Sequence, residues 1–228
     1  MRYSYTGGAL ALTAPTTDLQ AVVAPGGSAF RADVQATINH QQVAAHYGFG
    51  IQLDLPGHLA AYATTRQLLG QLQGAGWEAG LGYARNLRPH GRPLLARAGL
   101  GYLRQSSGRR LGTVPNPDAD LRLAGTPLAA DQLTLSLQRV TSALQPKLGL
   151  GLEISHHWEA VADLGYLLSL GTHNQLLIEE KGGFFSFNQQ AAELALPAAE
   201  AQVFVRNQPA AAGPWQLGHL LLSVGVLY

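Results

Sequence analysis

Apolar and polar positions alternate along this chain with a period of two, the repeat of a β-strand whose side chains point to opposite faces. Over residues 158–170, Trp158, Ala160, Ala162, Leu164, Tyr166, Leu168 and Leu170 share one face, and Glu159, Val161, Asp163, Gly165, Leu167 and Ser169 share the other. Over 77–86, Trp77, Ala79, Leu81 and Tyr83 alternate with Glu78, Gly80, Gly82 and Ala84. The same division runs through 94–103, 147–155 and 46–54. It also runs through the last strand, where Leu220, Leu222, Val224, Val226 and Tyr228 oppose His219, Leu221, Ser223, Gly225 and Leu227. The pattern predicts eight strands, at about 4–12, 46–55, 58–68, 76–86, 94–104, 147–155, 158–170 and 215–228; the first and third alternate least clearly.

Turn chemistry marks the short connections: Pro56-Gly57, the Pro- and Gly-bearing stretch 88–93, and Ser155-His156-His157. Longer connections span about 13–45, 106–146 and 172–214, so short and long are expected to alternate. The long ones carry patterns of their own. Residues 175–180, then Lys181-Gly182-Gly183, then Phe184-Phe185-Ser186-Phe187 read as a hairpin, and 131–137 alternates too. Two arrangements fit these patterns. Either strands continue past a membrane into a rigid outer rim, which is preferred, or an extra hairpin raises the strand number to ten. Residues 209–214, between two prolines, read as a flexible loop end.

Period two alone also describes a soluble barrel, so the faces must decide. The polar face is rich in Gly, which suits a crowded lumen. It carries both charge signs in Glu78, Arg97, Lys147, Glu153, Glu159 and Asp163, which are the expected lumen charges. Trp77, Tyr83, Tyr102, Trp158 and Tyr166 lie near strand ends, where aromatic girdles meet headgroups. With the unequal connections, these features predict one all-β domain over 1–228. Its architecture is a closed antiparallel up-and-down transmembrane β-barrel of about eight strands, with ten as the alternative.

Composition sharpens this picture. Only 13% of the 228 residues are charged, about half the usual share for soluble proteins, and 27 are Gly. The net charge is +1, so no strong field invites nucleic acid. There is no Cys, which excludes disulfides and thiolate metal sites. No stretch reaches the roughly 18 apolar residues of a membrane helix. The first residues show no secretory signal, which a barrel bound for an outer membrane needs. The expectation is a chain lacking its signal or a preceding periplasmic domain, or one whose start was mis-assigned.

The hairpin over 76–105 and the end over 215–228 resemble outer-membrane β-barrel domains of Bacteroidota-type Gram-negative bacteria. The final strand, with Leu220, Leu222, Val224 and Val226 at two-residue steps before the closing Tyr228, is similar to the C-terminal signal read by the barrel-assembly machinery. The resemblance implies insertion by that machinery, an integral outer-membrane location, and outer-membrane lipids as partners. In such families a periplasmic domain often precedes the barrel.

Candidate chemistry is sparse. His156 and His157 are adjacent, so on a strand they point apart and cannot share one ion. His46, His58 and His219 read as lumen or rim polarity. Glu153, Ser155 and His157 lie close in sequence but at a turn, with no evident oxyanion donor. Asn116-Pro117-Asp118-Ala119-Asp120 lacks a calcium loop's ligand set and reads as an Asx-type turn. No glycine loop of the phosphate-binding kind is present. The expectation is a non-enzyme without cofactor, metal or nucleic-acid partner: a structural or interaction barrel with a packed polar lumen and long outer loops. A small pore for polar solutes and a soluble lipocalin-like binding barrel are the alternatives.

Overall fold

The computed structural model describes residues 1–87, 94–155, 157–180 and 190–228. β1 (Arg2–Ala14) rises from the turn end to the loop end. β2 (Thr17–Val23) and β3 (Ala32–Ile38) lie in the following connection. β4 (Gln41–Leu55) descends, and a tight turn over Pro56–His58 leads into β5 (Leu59–Leu69). β6 (Gly74–Asn86) descends and β7 (Leu94–Pro115) rises well past the others. The small strands β8 (Arg122–Leu123) and β9 (Thr126–Pro127) form a hairpin at the top, and β10 (Gln132–Ser155) returns. β11 (Trp158–Tyr166) rises again and continues as β12 (Leu168–Glu180). β13 (Ala191–Ala195), β14 (Ala201–Val205) and β15 (Gln208–Ala210) follow before β16 (Gln216–Leu227) descends.

Eight of these strands close a ring in the order β11, β16, β1, β4, β5, β6, β7, β10, with β10 pairing back onto β11. All neighbours are antiparallel. Representative registers are Ser4 with Leu227, Tyr5 with Phe49, Gly80 with Gly101 and Leu150 with Ala162. Closure leaves no backbone edge along the barrel, so every strand finds its hydrogen bonds within the wall. The all-β, closed, eight-stranded up-and-down barrel is therefore the observed architecture, and the regions 4–12 and 58–68, whose alternation is poor, fall in ring strands, β1 shifting register against both neighbours beyond Leu10.

Three details differ from the sequence expectation. Short and long connections do not strictly alternate, because residues 70–73 join β5 to β6 in four residues at the loop end. Gly70 makes that bend possible with φ 118°, a conformation other residues rarely adopt. The hairpin partner of 175–180 is β13, with Leu176 opposite Leu194; the expected arm at 184–187 lies outside the described residues. The stretches 13–45 and 106–146 are also mostly strand rather than loop.

The surplus strand length builds a cap. β10 keeps one partner line throughout, pairing β11 below (Leu148 with Leu164) and β12 above (Leu144 with Leu168). β16 follows β11 only to Tyr166, opposite Leu220, and then leaves β12. The upper parts of β7, β10 and β12, with β13, form one layer. The four-stranded sheet β15, β14, β2, β3 supplies another. Between them lies an apolar core that includes Leu19, Phe30, Ile38, Leu111, Leu133, Leu135, Ile178, Val203 and Trp215. Each fully buried large side chain there contributes about 1.5–3 kcal/mol of transfer free energy. The extra strands thus extend and roof the barrel, and the ring itself stays at eight.

Candidate functional site: the lumen, the outer belt and the cap

Side chains alternate across the barrel wall. Outward positions include Tyr5, Phe49, Ile51, Leu81, Leu100, Leu148, Leu150, Leu164, Leu222 and Val224, all large and exposed. Inward positions over the turn-end half of the same strands are mostly glycine or polar, with Val161 and Leu227 among the apolar exceptions. A soluble barrel would reverse this, hiding its apolar face.

Aromatic residues border the apolar belt on two levels. Near the turn end Trp158 and Tyr228 pack with ring centroids 4.8 Å apart, and Tyr83 sits 6.1 Å from His58. Near the loop end Trp77 and Tyr102 lie 5.4 Å apart, and Tyr166 stacks on His219 at 5.4 Å. Trp77, Tyr83, Trp158 and Tyr166 are exposed, whereas Tyr102 is half-buried and donates its hydroxyl hydrogen to Ser142 Oγ at 3.0 Å. Trp77 and Tyr83 are six residues apart on β6, and Trp158 and Tyr166 eight apart on β11. At about 3.4 Å per residue and a tilt near 40°, the two levels are about 16–21 Å apart, within the height of a hydrocarbon band. The side chains of Leu220, Leu222, Val224, Val226 and Tyr228 all lie on this outer face of β16.

Inside, charged groups form two linked clusters. In the first, near the turn end, Arg97 Nη1 meets Glu159 Oε1 at 2.7 Å and Arg97 Nε lies 4.0 Å from Asp163 Oδ1. Arg2 Nη1 binds the other oxygen of Glu159 at 2.8 Å, while its Nη2 and Nε bind Asp54 at 2.8 and 3.1 Å. Gln52 ties the two arginines together, accepting from Arg97 and donating to Asp54. In the second cluster Glu78, only 2% exposed, accepts from Arg66 Nη2 at 3.0 Å, Lys147 Nζ at 2.7 Å and the Tyr62 hydroxyl at 2.8 Å. Lys147 Nζ also sits 3.9 Å from the centre of the Tyr62 ring. Four acids (Asp54, Glu78, Glu159, Asp163) thus face four bases (Arg2, Arg66, Arg97, Lys147), the Arg2–Asp54 pair partly exposed at the mouth and the others in the lumen, where burial demands such a balance.

Glycine makes room for this chemistry. A side chain at Gly101 would meet Glu78 Oε1 and the Tyr62 hydroxyl, each at 2.6 Å, and one at Gly151 would collide with Glu159 Oε1. Gly101 on β7 and Gly149 and Gly151 on β10 are therefore the slots into which Glu78, Asp163 and Glu159 of neighbouring strands fold. A cavity of about 90 Å³ remains beside Tyr62, Arg66, Glu78, Arg97, Lys147 and Asp163.

Of the lumen charges expected from sequence, Glu78, Arg97, Lys147, Glu159 and Asp163 lie in these clusters. Glu153 stands exposed at the turn-end mouth, opposite Glu159 in register, and lines the open basin there with His157 and Trp158. Sequence reasoning missed Arg2, Asp54, Tyr62 and Arg66. The signal was available: Arg2 continues the inner face of Ser4, Thr6 and Gly8, and Asp54 that of Gly48, Gly50 and Gln52.

Contrary to the expectation from sequence, the lumen is not polar throughout. Toward the loop end its inward residues become Leu10, Ala44, Leu68, Leu103, Ala143, Leu167 and Leu221, each 4% exposed or less. These belong to the same apolar cluster as the cap core. Trp215 caps the column; its Nε1 donates to Ser107 Oγ at 3.2 Å, and its carbonyl accepts from Arg139 Nη1 at 2.7 Å. The ionic network is thus closed above by a mainly apolar stopper, interleaved with the buried polar side chains of His46, Gln105, Ser107, Thr141 and Gln145.

The remaining candidates resolve simply. His46 is buried, with Nε2 3.3 Å from the Leu222 carbonyl oxygen. His157 donates its backbone N–H to Ser155 Oγ at 3.4 Å, a turn contact rather than a base aimed at a nucleophile. Asn116 and Asp118 accept from the backbone N–H groups of Asp118 and Asp120, giving two successive Asx turns. Among the described residues no group of three His, Cys, Asp or Glu comes together to hold a metal ion.

No family model and no curated protein matches this chain. Among solved structures, the outer-membrane protease OmpT of Escherichia coli overlaps all of this chain and 96% of its own, at 11% identity and a TM-score of 0.31. The toluene transporter TodX of P. putida overlaps 99% of this chain and 89% of its own, at 10% identity and a TM-score of 0.20. Both are outer-membrane proteins of Gram-negative bacteria. Overlaps this loose say nothing of what the present chain does.

Proposed function

We propose that this chain is an integral outer-membrane β-barrel with a structural or interaction role, sealed inside and roofed at its loop end. The observation that carries this reading is the inverted polarity of the wall. Large apolar side chains face out between two aromatic levels, while paired charges face in. Lipid is the solvent that accepts such an exterior, and a closed barrel is the sheet that lipid tolerates. Lipids of the outer membrane then surround the belt, and the outer face of β16, ending in Tyr228, is the surface offered to the barrel-assembly machinery. The cap would stand outside the cell as a rigid β-structured platform, the part available to partners.

Transport is disfavoured because two ion-paired clusters and a leucine stopper fill the lumen, as expected for an eight-stranded barrel. Catalysis is disfavoured because the lumen acids and bases pair with one another, and His46, His58, His157 and His219 contact carbonyls, rings or, through a backbone N–H, a turn hydroxyl rather than an aligned nucleophile.

Purified protein should migrate differently on a detergent gel before and after boiling, and should give no reproducible single-channel steps in a planar bilayer. Unchanged migration, with solubility in plain buffer, would overturn the membrane reading and favour a soluble binding barrel. Stable steps would overturn the sealed lumen and favour a pore.

A further inference from the structure

The wall has a notch above Tyr166, where β12 and β16 part. Below the notch the two sides are joined: Tyr166 lies opposite Leu220, and the Leu167 N–H donates to the His219 carbonyl at 2.6 Å. Above it β12 gains a new neighbour, β13, from Gln175 onward, and the Leu196 N–H donates to the Asn174 carbonyl at 2.9 Å. Over residues 168–173, β12 has β10 along one edge and, among the described residues, no strand along the other. All six are exposed. Ser169 and Thr172 face inward by register, opposite the buried Ala143 and Thr141, so their exposure shows a wall open from outside to inside. A side chain at Gly171 would meet nothing within 4 Å. An uncompensated cation backs this opening. Arg139 of β10, opposite Asn174, donates from Nη1 to the Trp215 carbonyl at the head of β16 at 2.7 Å, so its guanidinium reaches from β10 to the far side of the notch. It is half-buried, and among the described residues no carboxylate pairs with it. Its Nε, Asn174 Oδ1 and Thr141 Oγ1 are buried without a hydrogen-bond partner, on the inward face beside 168–174. Buried polar groups normally find partners, so three unmet ones around one cation mark a place fitted to groups from outside.

We propose that the notch takes an extended peptide segment of a partner protein, added as a strand along the free edge of β12, with one acidic side chain turned inward to Arg139. The inference names a partner for the interaction reading above and rests on it. The free backbone groups of β12 supply the ladder, and the edge carries no charged residue and no proline to turn an added strand away. Alternation in the added strand sends every second side chain inward, so one Asp or Glu can reach the guanidinium while its neighbours lie over Leu168 and Leu170, which are 48% and 59% exposed. A carboxylate supplies the charge that Arg139 lacks, which selects an acidic strand over a neutral one. The unpaired edge selects a strand over an acyl chain, which offers nothing to N–H and C=O groups. A second copy of this chain fits less well, because its own edge over 168–173 carries no acid.

The test is selection of a random peptide library displayed on phage against the protein in phosphatidylcholine nanodiscs. Recovered peptides should alternate β-branched or aromatic residues and share one Asp or Glu. Synthesised singly, such a peptide should bind at least about tenfold more tightly than its Asn or Gln counterpart, and should slow amide exchange across residues 168–173. Arg139→Met should erase the acid preference. Thr172→Glu sets a carboxylate diagonally across from Arg139 at an exposed position, so it should erase the preference while leaving Arg139 in place. Failure to recover any peptide, recovered peptides indifferent to the acid, a preference that survives in either folded variant, or binding that leaves 168–173 unprotected would overturn the proposal. Protection of 168–173 by phosphatidylglycerol nanodiscs without peptide would assign the notch to lipid, and protection that grows with the number of copies per nanodisc would assign it to a second copy; either overturns the partner strand. Heat-shifted migration of the same samples separates the two failures: a shifting barrel without acid-dependent peptide binding sinks this inference alone, and a non-shifting one sinks the membrane reading with it.

Discussion

Glu78→Ala is the substitution that most sharply probes the lumen. The carboxylate is 2% exposed and accepts from Arg66, Lys147 and Tyr62 at 3.0, 2.7 and 2.8 Å. Its removal leaves two cations in a narrow lumen, one of them, Arg66, with a side chain only 5% exposed. Taking one member from a buried pair costs about 3–5 kcal/mol, because the partner's charge stays behind uncompensated. Glu78→Gln keeps the volume and a hydrogen-bond acceptor, so its cost should be smaller, about 1–3 kcal/mol. Adding Lys147→Met to Glu78→Ala removes one orphaned cation and should recover at least about 1 kcal/mol, a coupling of the size seen for residues in contact. Urea titration of protein folded into lipid vesicles, read by tryptophan fluorescence and by gel mobility, gives all three values. A cost below about 1 kcal/mol for Glu78→Ala, or strict additivity with Lys147→Met, would refute the claim that this cluster is a buried, mutually dependent network.

Leu164→Arg should lower the yield of folding into lipid vesicles and cost about 2–4 kcal/mol if the residue lies at the bilayer midplane, whereas Leu164→Ala should cost far less; matched yields would count against a lipid-facing Leu164. Gly151→Leu should disrupt the lumen from the glycine side, since the new side chain would occupy the position of Glu159 Oε1 and part it from Arg97 and Arg2. An unfolding midpoint equal to that of the parent would show that the slot is not needed.

The ring of eight was legible because period two survives wherever one face meets lipid and the other a crowded lumen. The alternation through Trp158, Leu164 and Tyr166 shows both faces at once. The cap was less legible because its sheet is assembled from distant segments: β2 alternates, burying Leu19, Ala21 and Val23, but its pairing with β14 joins residues about 180 positions apart, which no local pattern announces. The apolar stopper escaped notice for a related reason. Leu10, Leu68, Leu103 and Leu221 fall on the polar parity of their strands, where a leucine resembles a break in the pattern rather than the start of a second core. Within the ionic network, residue types and faces could be read from the chain, but partners could not. Glu78 is opposite Leu103 and Thr64 in register, yet its side chain reaches Arg66 and Lys147, because strand tilt and glycine slots rather than direct pairing decide who meets whom.

The central claim, that the outer face of this barrel is a lipid face and its cap is not, can be tested by the three tryptophans. Single-tryptophan proteins retaining Trp77, Trp158 or Trp215 would be folded into vesicles containing brominated lipids, and their fluorescence compared with that in unbrominated vesicles. Trp77 and Trp158, both 46% and 45% exposed on the outer face at the two aromatic levels, should be strongly quenched, and Trp215, fully buried in the cap core, should not. Equal fluorescence of all three in the two kinds of vesicle would contradict the account.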